Sequence, residues 1–174
     1  MTYSEIAQRY YHAALRDEEL VMKLTQERWG GFVRRATLNE DRNSHIDFFW
    51  RATATHPEIG FDVKGLRKSK RSDSVYDDSM TWLELLNVQG NPGSLYGNAK
   101  YFAFITNSSV LYVPRQGILD YVTEKIKGKE IVGTCPAEFY TPYTRRGRKD
   151  LIVKVPMEDL RQFKKQELPF SCLG

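Results

Sequence analysis

The sequence predicts a mixed α/β fold in a single domain, a central mixed β-sheet flanked by helices. Three observations predict it. Residues 4–27 repeat apolar side chains at helical spacing, and the stretch from His45 to Val113 is dominated by strand-like segments. Apolar runs ending in Val113-Pro114 and Val155-Pro156 each lead into a helical pattern. With 174 residues, 41% of them hydrophobic, the chain has core material for one domain. No linker or composition shift divides it, so residues 4–126 form the expected core and residues 127–174 a strand-helix extension.

The first element opens on Thr2-Tyr3-Ser4-Glu5, the pattern of a capping box, and Ile6, Tyr10, Ala13 and Ala14 follow on one helical face. Leu20, Val21 and Leu24 continue that face, with a break expected near Arg16-Asp17 and an end at Gly30-Gly31. Phe32 to Thr37 reads as a short strand and Asn39 to Ser44 as a turn. Ile46–Arg51 and Ile59–Lys64 read as a hairpin of two strands joined around His56-Pro57. Lys68 to Ser79 is polar and serine-rich, hence a mobile loop. Thr81 to Val88 is a third strand, closed by the turn-rich QGNPGSLYGN, and Tyr101–Thr106 with Val110–Val113 forms a second hairpin. Pro114 and Pro156 are expected at first helical positions, where a missing N–H costs nothing. Gly128 to Asp150 reads as an excursion carrying Tyr140, Tyr143 and RRGRK.

Composition excludes several classes. The longest apolar runs fall far short of the ~20 residues that span a bilayer, and MTYSEIAQRYYH lacks the apolar region of a secretory signal. Cys135 and Cys172 match no metal or redox spacing, so reduced thiols in a cytoplasmic protein are expected. The net charge of +4 is mild. Its distribution says more: Arg34-Arg35, then Lys64 to Arg71 with Arg67, Lys68, Lys70 and Arg71, then Arg145, Arg146, Arg148 and Lys149. Three clusters bordering strands or loops point to a phosphate-rich partner, nucleic acid.

The informative stretch is His45-Ile46-Asp47 followed by Phe61-Asp62-Val63-Lys64-Gly65. Side chains alternate along a strand, so Asp62 and Lys64 share a face, and Asp47 lies on the neighbouring strand. Charges inside such segments are costly unless paired or metal-bound. Two carboxylates of this kind suit a hard divalent ion, Mg²⁺ or Mn²⁺, that shares its remaining sites with water and substrate phosphate. The competing reading is a surface ion pair between Asp62 and a nearby Lys or Arg.

Asp47 followed by Asp62-x-Lys64 after an initial helix resembles the PD-(D/E)XK nuclease superfamily, and FDVKG, TWLELLNVQGNPGSLYG, the YFAF hairpin and RRGRKDLIVKVPMEDL are similar to phage and bacterial proteins of this kind. His45-Ile46 stands where a proline often precedes the first acid. The resemblance implies an αβββαβ core, as in restriction endonucleases, and metal-dependent phosphodiester hydrolysis, with DNA the favoured substrate. It further implies that Asp47, Asp62 and the Val63 carbonyl hold the metal while Lys64 serves the attacking water. A helical acid would complete the set, chosen from Glu5, Glu19 and Glu27 with Glu27 favoured. A small nuclease that cuts two strands also makes a homodimer attractive. If the chain is phage-derived, its setting would be a bacterial cytoplasm.

Glu84 alternates with Trp82 and Leu86 and is a further candidate at the site. Tyr140 and Tyr143, near the RRGRK cluster, are candidates for stacking on bases. His45 is a candidate base or ligand, and Gln89 a candidate phosphate or base contact. The alternative from another class is a catalytically inactive protein of nuclease-like fold, used as an inhibitor or adaptor of host or phage machinery.

Overall fold

A computed structural model of the chain describes residues 3–68 and 75–172. In chain order its elements are α1 (Tyr3–Trp29), β1 (Phe32–Arg35), α2 (Leu38–Ser44), β2 (Phe48–Arg51), β3 (Ile59–Lys64), β4 (Met80–Leu86), a 3₁₀ turn (Ser94–Tyr96), β5 (Tyr101–Ile105), β6 (Ser109–Pro114), α3 (Arg115–Ile126), β7 (Leu151–Pro156), α4 (Met157–Arg161), β8 (Gln166–Pro169) and a closing 3₁₀ turn (Phe170–Cys172). Six strands make a mixed sheet in the order β1-β2-β3-β5-β6-β8, while β4 and β7 pair with each other apart from it. The β1-β2-β3 meander is antiparallel, and β5 then runs parallel to β3. Helices flank this central sheet, and the chain is one mixed α/β domain.

Alternation along the strands gives the sheet two apolar faces. Phe48, Phe61, Ala103, Val110 and Tyr112 pack with Val21 and Leu24 of α1 on one side. Phe102, Phe104, Leu111 and Val113 pack on the other with Leu83 and Leu85 of β4, Val153 and Val155 of β7, and Ile118 and Val122 of α3. Each fully buried Leu or Phe there contributes about 1.5–3 kcal/mol. Trp29 locks the end of α1 onto the sheet: its ring meets Trp50, Phe61 and Tyr112, and its indole N–H donates to Gln166 at 2.7 Å.

Several local expectations change. The helix runs through Arg16-Asp17 without a break, because Val21, Leu24 and Thr25 hold one continuous face against the sheet. Residues 38–44 are helical and not a turn: Thr37 accepts from the Glu40 amide at 3.3 Å, and Glu40 accepts from the Thr37 amide at 2.8 Å, a reciprocal cap. Pro114 and Pro156 sit at N-cap positions, one residue before the helices they introduce. β8 was not expected from the sequence. The expected capping box at Thr2 and residues 69–74 of the expected 68–79 loop, Lys70 and Arg71 included, lie outside the described residues.

Candidate functional site

The acid pair is built by β2 and β3. Their register sets Phe48 opposite Phe61, so one step further Asp47 stands across from Asp62. β2 has ended there, and the Asp47 carboxylate takes the place of a missing ladder partner: its Oδ2 accepts from the Val63 amide at 2.6 Å. Phe61 and Val63 face α1, so Asp62 and Lys64 project to the other side, level with Phe102 and Phe104 in the parallel register with β5. Lys64 Nζ lies 2.6 Å and 2.9 Å from the two carboxylate oxygens of Asp62, and 5.3 Å from the centre of the Phe102 ring. The Asp62 side chain is only 6% exposed against 15% for Lys64, so the ammonium is the route by which this buried carboxylate meets the surface.

Burial leaves these acids reluctant to ionise. Burial, then the charge of Asp62, pushes the Asp47 carboxyl up to about 7 against the opposing pull of Lys64 and the Val63 amide. Burial also raises Asp62, with Lys64 counteracting. Glu18 of α1 is pushed up to about 7 by burial and next by the charge of Asp47, which sets it in the field of the acid pair; Arg35 pulls the other way and ion-pairs with it. Asp17 beside it is raised by burial, and its carboxylate occupies the space that a Cβ on Gly65 would need. A side chain at position 65 would require the Asp17 carboxylate to turn aside.

The helical acid brought towards the pair is therefore Glu18, which sequence reasoning did not single out. Asp17 and Glu18 lie four and three residues before the buried Val21, on its face, and that phase is the signal that could have found them. Glu27 is exposed and pairs with Lys23 at 3.7 Å, and Glu19 meets Arg35 at 3.4 Å. Glu84 lies on β4, in the separate two-stranded sheet, its Cγ close to where a Gly93 side chain would be, and it makes no hydrogen bond or ion pair with Asp47, Asp62 or Lys64.

The basic clusters differ from one another. Arg34 is held by Glu40 and Glu58 at 2.9 and 2.6 Å, and Arg35 by Glu18 and Glu19, so that cluster is internally neutralised. Arg67 pairs through its backbone with Asp77, while Lys68 Nζ lies 5.5 Å from the Tyr76 ring. Arg145 is tied to the buried Asp150. Arg146, Arg148 and Lys149 are exposed and form no ion pair among the described residues. Tyr143 sits beside Trp82, and Tyr140 is buried with its hydroxyl on Asp159. His45 Nε2 lies 3.3 Å from the Pro92 carbonyl, and Gln89 donates its amide to Asn87 within a turn.

Among the described residues no group of three or more His, Cys, Asp or Glu side chains forms a metal-binding cluster. Mg²⁺ differs from zinc in needing fewer protein ligands, commonly one or two carboxylates, with water and phosphate filling the rest. No helix among the described residues is long and apolar enough to cross a membrane. No protein-family model, curated protein or solved structure matches the chain.

Proposed function

We propose that this protein is a divalent-metal-dependent nuclease, with DNA as the favoured substrate, acting through Asp47, Asp62 and Lys64. One observation carries the reading: a lysine salt-bridged to a buried aspartate two residues earlier on the same strand, with a second aspartate facing that pair and raised to about 7. Such perturbed carboxyls cluster where function requires them. The chain order α1-β1-β2-β3 followed by a parallel β5 supports the resemblance to PD-(D/E)XK nucleases, although strand β4 and a 3₁₀ turn stand between β3 and β5 where that core carries a helix.

Mg²⁺ or Mn²⁺ fits the donor set, because a dication would offset the burial that raises Asp47, Asp62 and Glu18 and the repulsion that adds to it at Asp47 and Glu18. Asp47 and Asp62, with the Val63 carbonyl, would hold it. When bound, it supplies charge neutralisation at phosphate and a water of lowered pKa. The rest falls to the chain. Lys64 must release one Asp62 oxygen and turn its ammonium towards the scissile phosphate or its attacking water, where it steadies developing negative charge. Glu18 keeps Arg35 beside the acids. Arg67, Lys68 and the cations of 145–149 hold the nucleic-acid backbone.

Cleavage of labelled DNA with Mg²⁺ or Mn²⁺, its arrest by chelator, and its loss in Asp62→Asn and Lys64→Ala test the proposal. Equal activity of Asp62→Asn and wild type would overturn it. The clamp of Lys64 on both oxygens of Asp62 favours a second reading, an inactive nuclease-like binding protein. That reading requires no hydrolysis and no change in melting on adding Mn²⁺.

A further inference from the structure

A cavity of about 260 Å³ opens between the end of α2 and the loop that follows β4, and its walls include Arg42, His45, Asn87, Asn91, Tyr96 and Asn98. Its construction is specific. A Cβ on Gly97 would fall 2.7 Å from His45 Cβ and 2.9 Å from the Ser44 carbonyl, so only glycine brings the two walls this close. The Asn98 amide then donates to that carbonyl at 2.8 Å, and His45 takes a left-handed backbone, φ 51°, as the cap of α2. Asn87 Oδ1 accepts from the amides of Gln89 and Asn91, both at 3.0 Å, which fixes the turn. The Asn91 carboxamide, the Arg42 guanidinium and the Tyr96 hydroxyl form no hydrogen bond or ion pair among the described residues, and Tyr96 is 48% exposed.

The basic loop stands at the same place. β4 and β7 pair with Leu86 opposite Leu151, so the turn after β4 and the loop before β7 leave from one end of the ribbon. They touch: the Lys149 amide is 3.5 Å from the Val88 carbonyl, and a Cβ on Gly90 would lie 3.3 Å from Lys149 Cβ. Lys149 thus touches the turn that walls a cavity lined with carboxamides and containing no acid, and Arg146 and Arg148 precede it in the same exposed loop.

That chemistry selects its ligand. A carboxamide presents a donor beside an acceptor, the pattern on a base edge, and a half-exposed tyrosine offers a stacking face. The absence of carboxylates from the lining disfavours a metal or an amine, and the guanidinium and ammonium groups match phosphate. We infer that the cavity seats one unpaired nucleobase of a bound strand, with the neighbouring phosphates on Arg146, Arg148 and Lys149. The inference rests on the reading of the chain as a nucleic-acid-binding protein, but it does not require hydrolysis. His45 is two residues from Asp47, so the base seat and the acid pair would serve the same strand.

The test is fluorescence anisotropy with labelled single-stranded deoxyribo- or ribo-oligonucleotides, whichever binds tighter serving as reference, in chelator so that no cleavage occurs. Wild type should bind the reference strand about tenfold more tightly than an abasic strand of equal length, the scale of one stacked base. Tyr96→Ala and Asn91→Leu should abolish that preference and leave abasic binding unchanged. Arg146→Ala with Arg148→Ala should weaken binding of both strands and reduce the salt slope by about two. Equal affinity of wild type for native and abasic strands overturns the inference. So does unchanged base preference in both cavity variants, each shown by its melting curve to be folded. Base-dependent binding in chelator with no cleavage when Mg²⁺ or Mn²⁺ is then supplied would sink only the hydrolase reading, and cleavage with the metal but no base dependence only the seat.

Discussion

Replacing Asp47 by asparagine should make the protein more stable at neutral and alkaline pH. Asp47 holds a carboxyl near 7 where an unfolded chain leaves it at 3.8. Between those values the folded state binds more protons than the unfolded one, so wild-type stability falls as pH rises through the window and is flat above it. The span from 3.8 to about 7, at ~1.36 kcal/mol for each tenfold change in proton affinity, sets a ceiling of about 4 kcal/mol. Asparagine has no charge to bury and none to repel Asp62, while its Oδ1 still accepts from the Val63 amide, so most of that ceiling should be recovered. A gain of about 3 kcal/mol corresponds to roughly 6–12 °C in Tm for a chain of this size. Thermal melts in chelator at about pH 4 and about pH 8 read it directly: the two proteins should coincide at the lower pH and separate at the higher. A Tm gap that does not change with pH, or an Asp47→Asn protein that melts lower at the higher pH, would refute the electrostatic account of the site.

Glu18→Gln should lower metal-dependent cleavage by at least about tenfold with the fold preserved, whereas Glu27→Gln, on the exposed face with Lys23, should leave it unchanged; initial rates on labelled DNA decide. Gly97→Ala should cost about 1–3 kcal/mol in a denaturant melt, because its methyl would overlap the backbone of Ser44 and the His45 side chain. Thr37→Ala should cost about 1 kcal/mol by loss of the α2 cap, an effect visible as faster amide exchange over residues 38–44. Lys154→Met should leave the carbonyls of Pro136 and Ala137 without their donor and speed proteolysis within residues 128–150, with little change elsewhere.

Local periodicity made much of this fold legible. The β2–β3 and β5–β6 hairpins and both strand-to-helix units could be read because alternation, turn residues and prolines sit within a few positions of one another. Helix α2 also carried a signal, since Thr37 and Glu40 have capping-box spacing, but its polar residues bury nothing and imitate a turn. β8 is short and polar, and only its neighbour β6 makes it a strand. Pairing of β4 with β7 joins segments some 65 residues apart and leaves no local trace, so the third strand's alternation makes Glu84 a site candidate although it belongs to a different sheet from Asp62. Of the site, Asp62 and Lys64 follow from spacing alone. Glu18 required the phase of α1, and that is fixed by which residues of the helix are buried.

The β4–β7 ribbon stands apart from the main sheet yet ends in both the Asn87–Asn91 turn and the Arg145–Lys149 loop. On the proposed function, the groups that hold a strand and those that cut it would stand on separate sheets joined through an apolar interior. Grafting different sequences onto those two tips should then change which strand is held, and in what register, without altering the strands that carry Asp47 and Asp62, which belong to the other sheet.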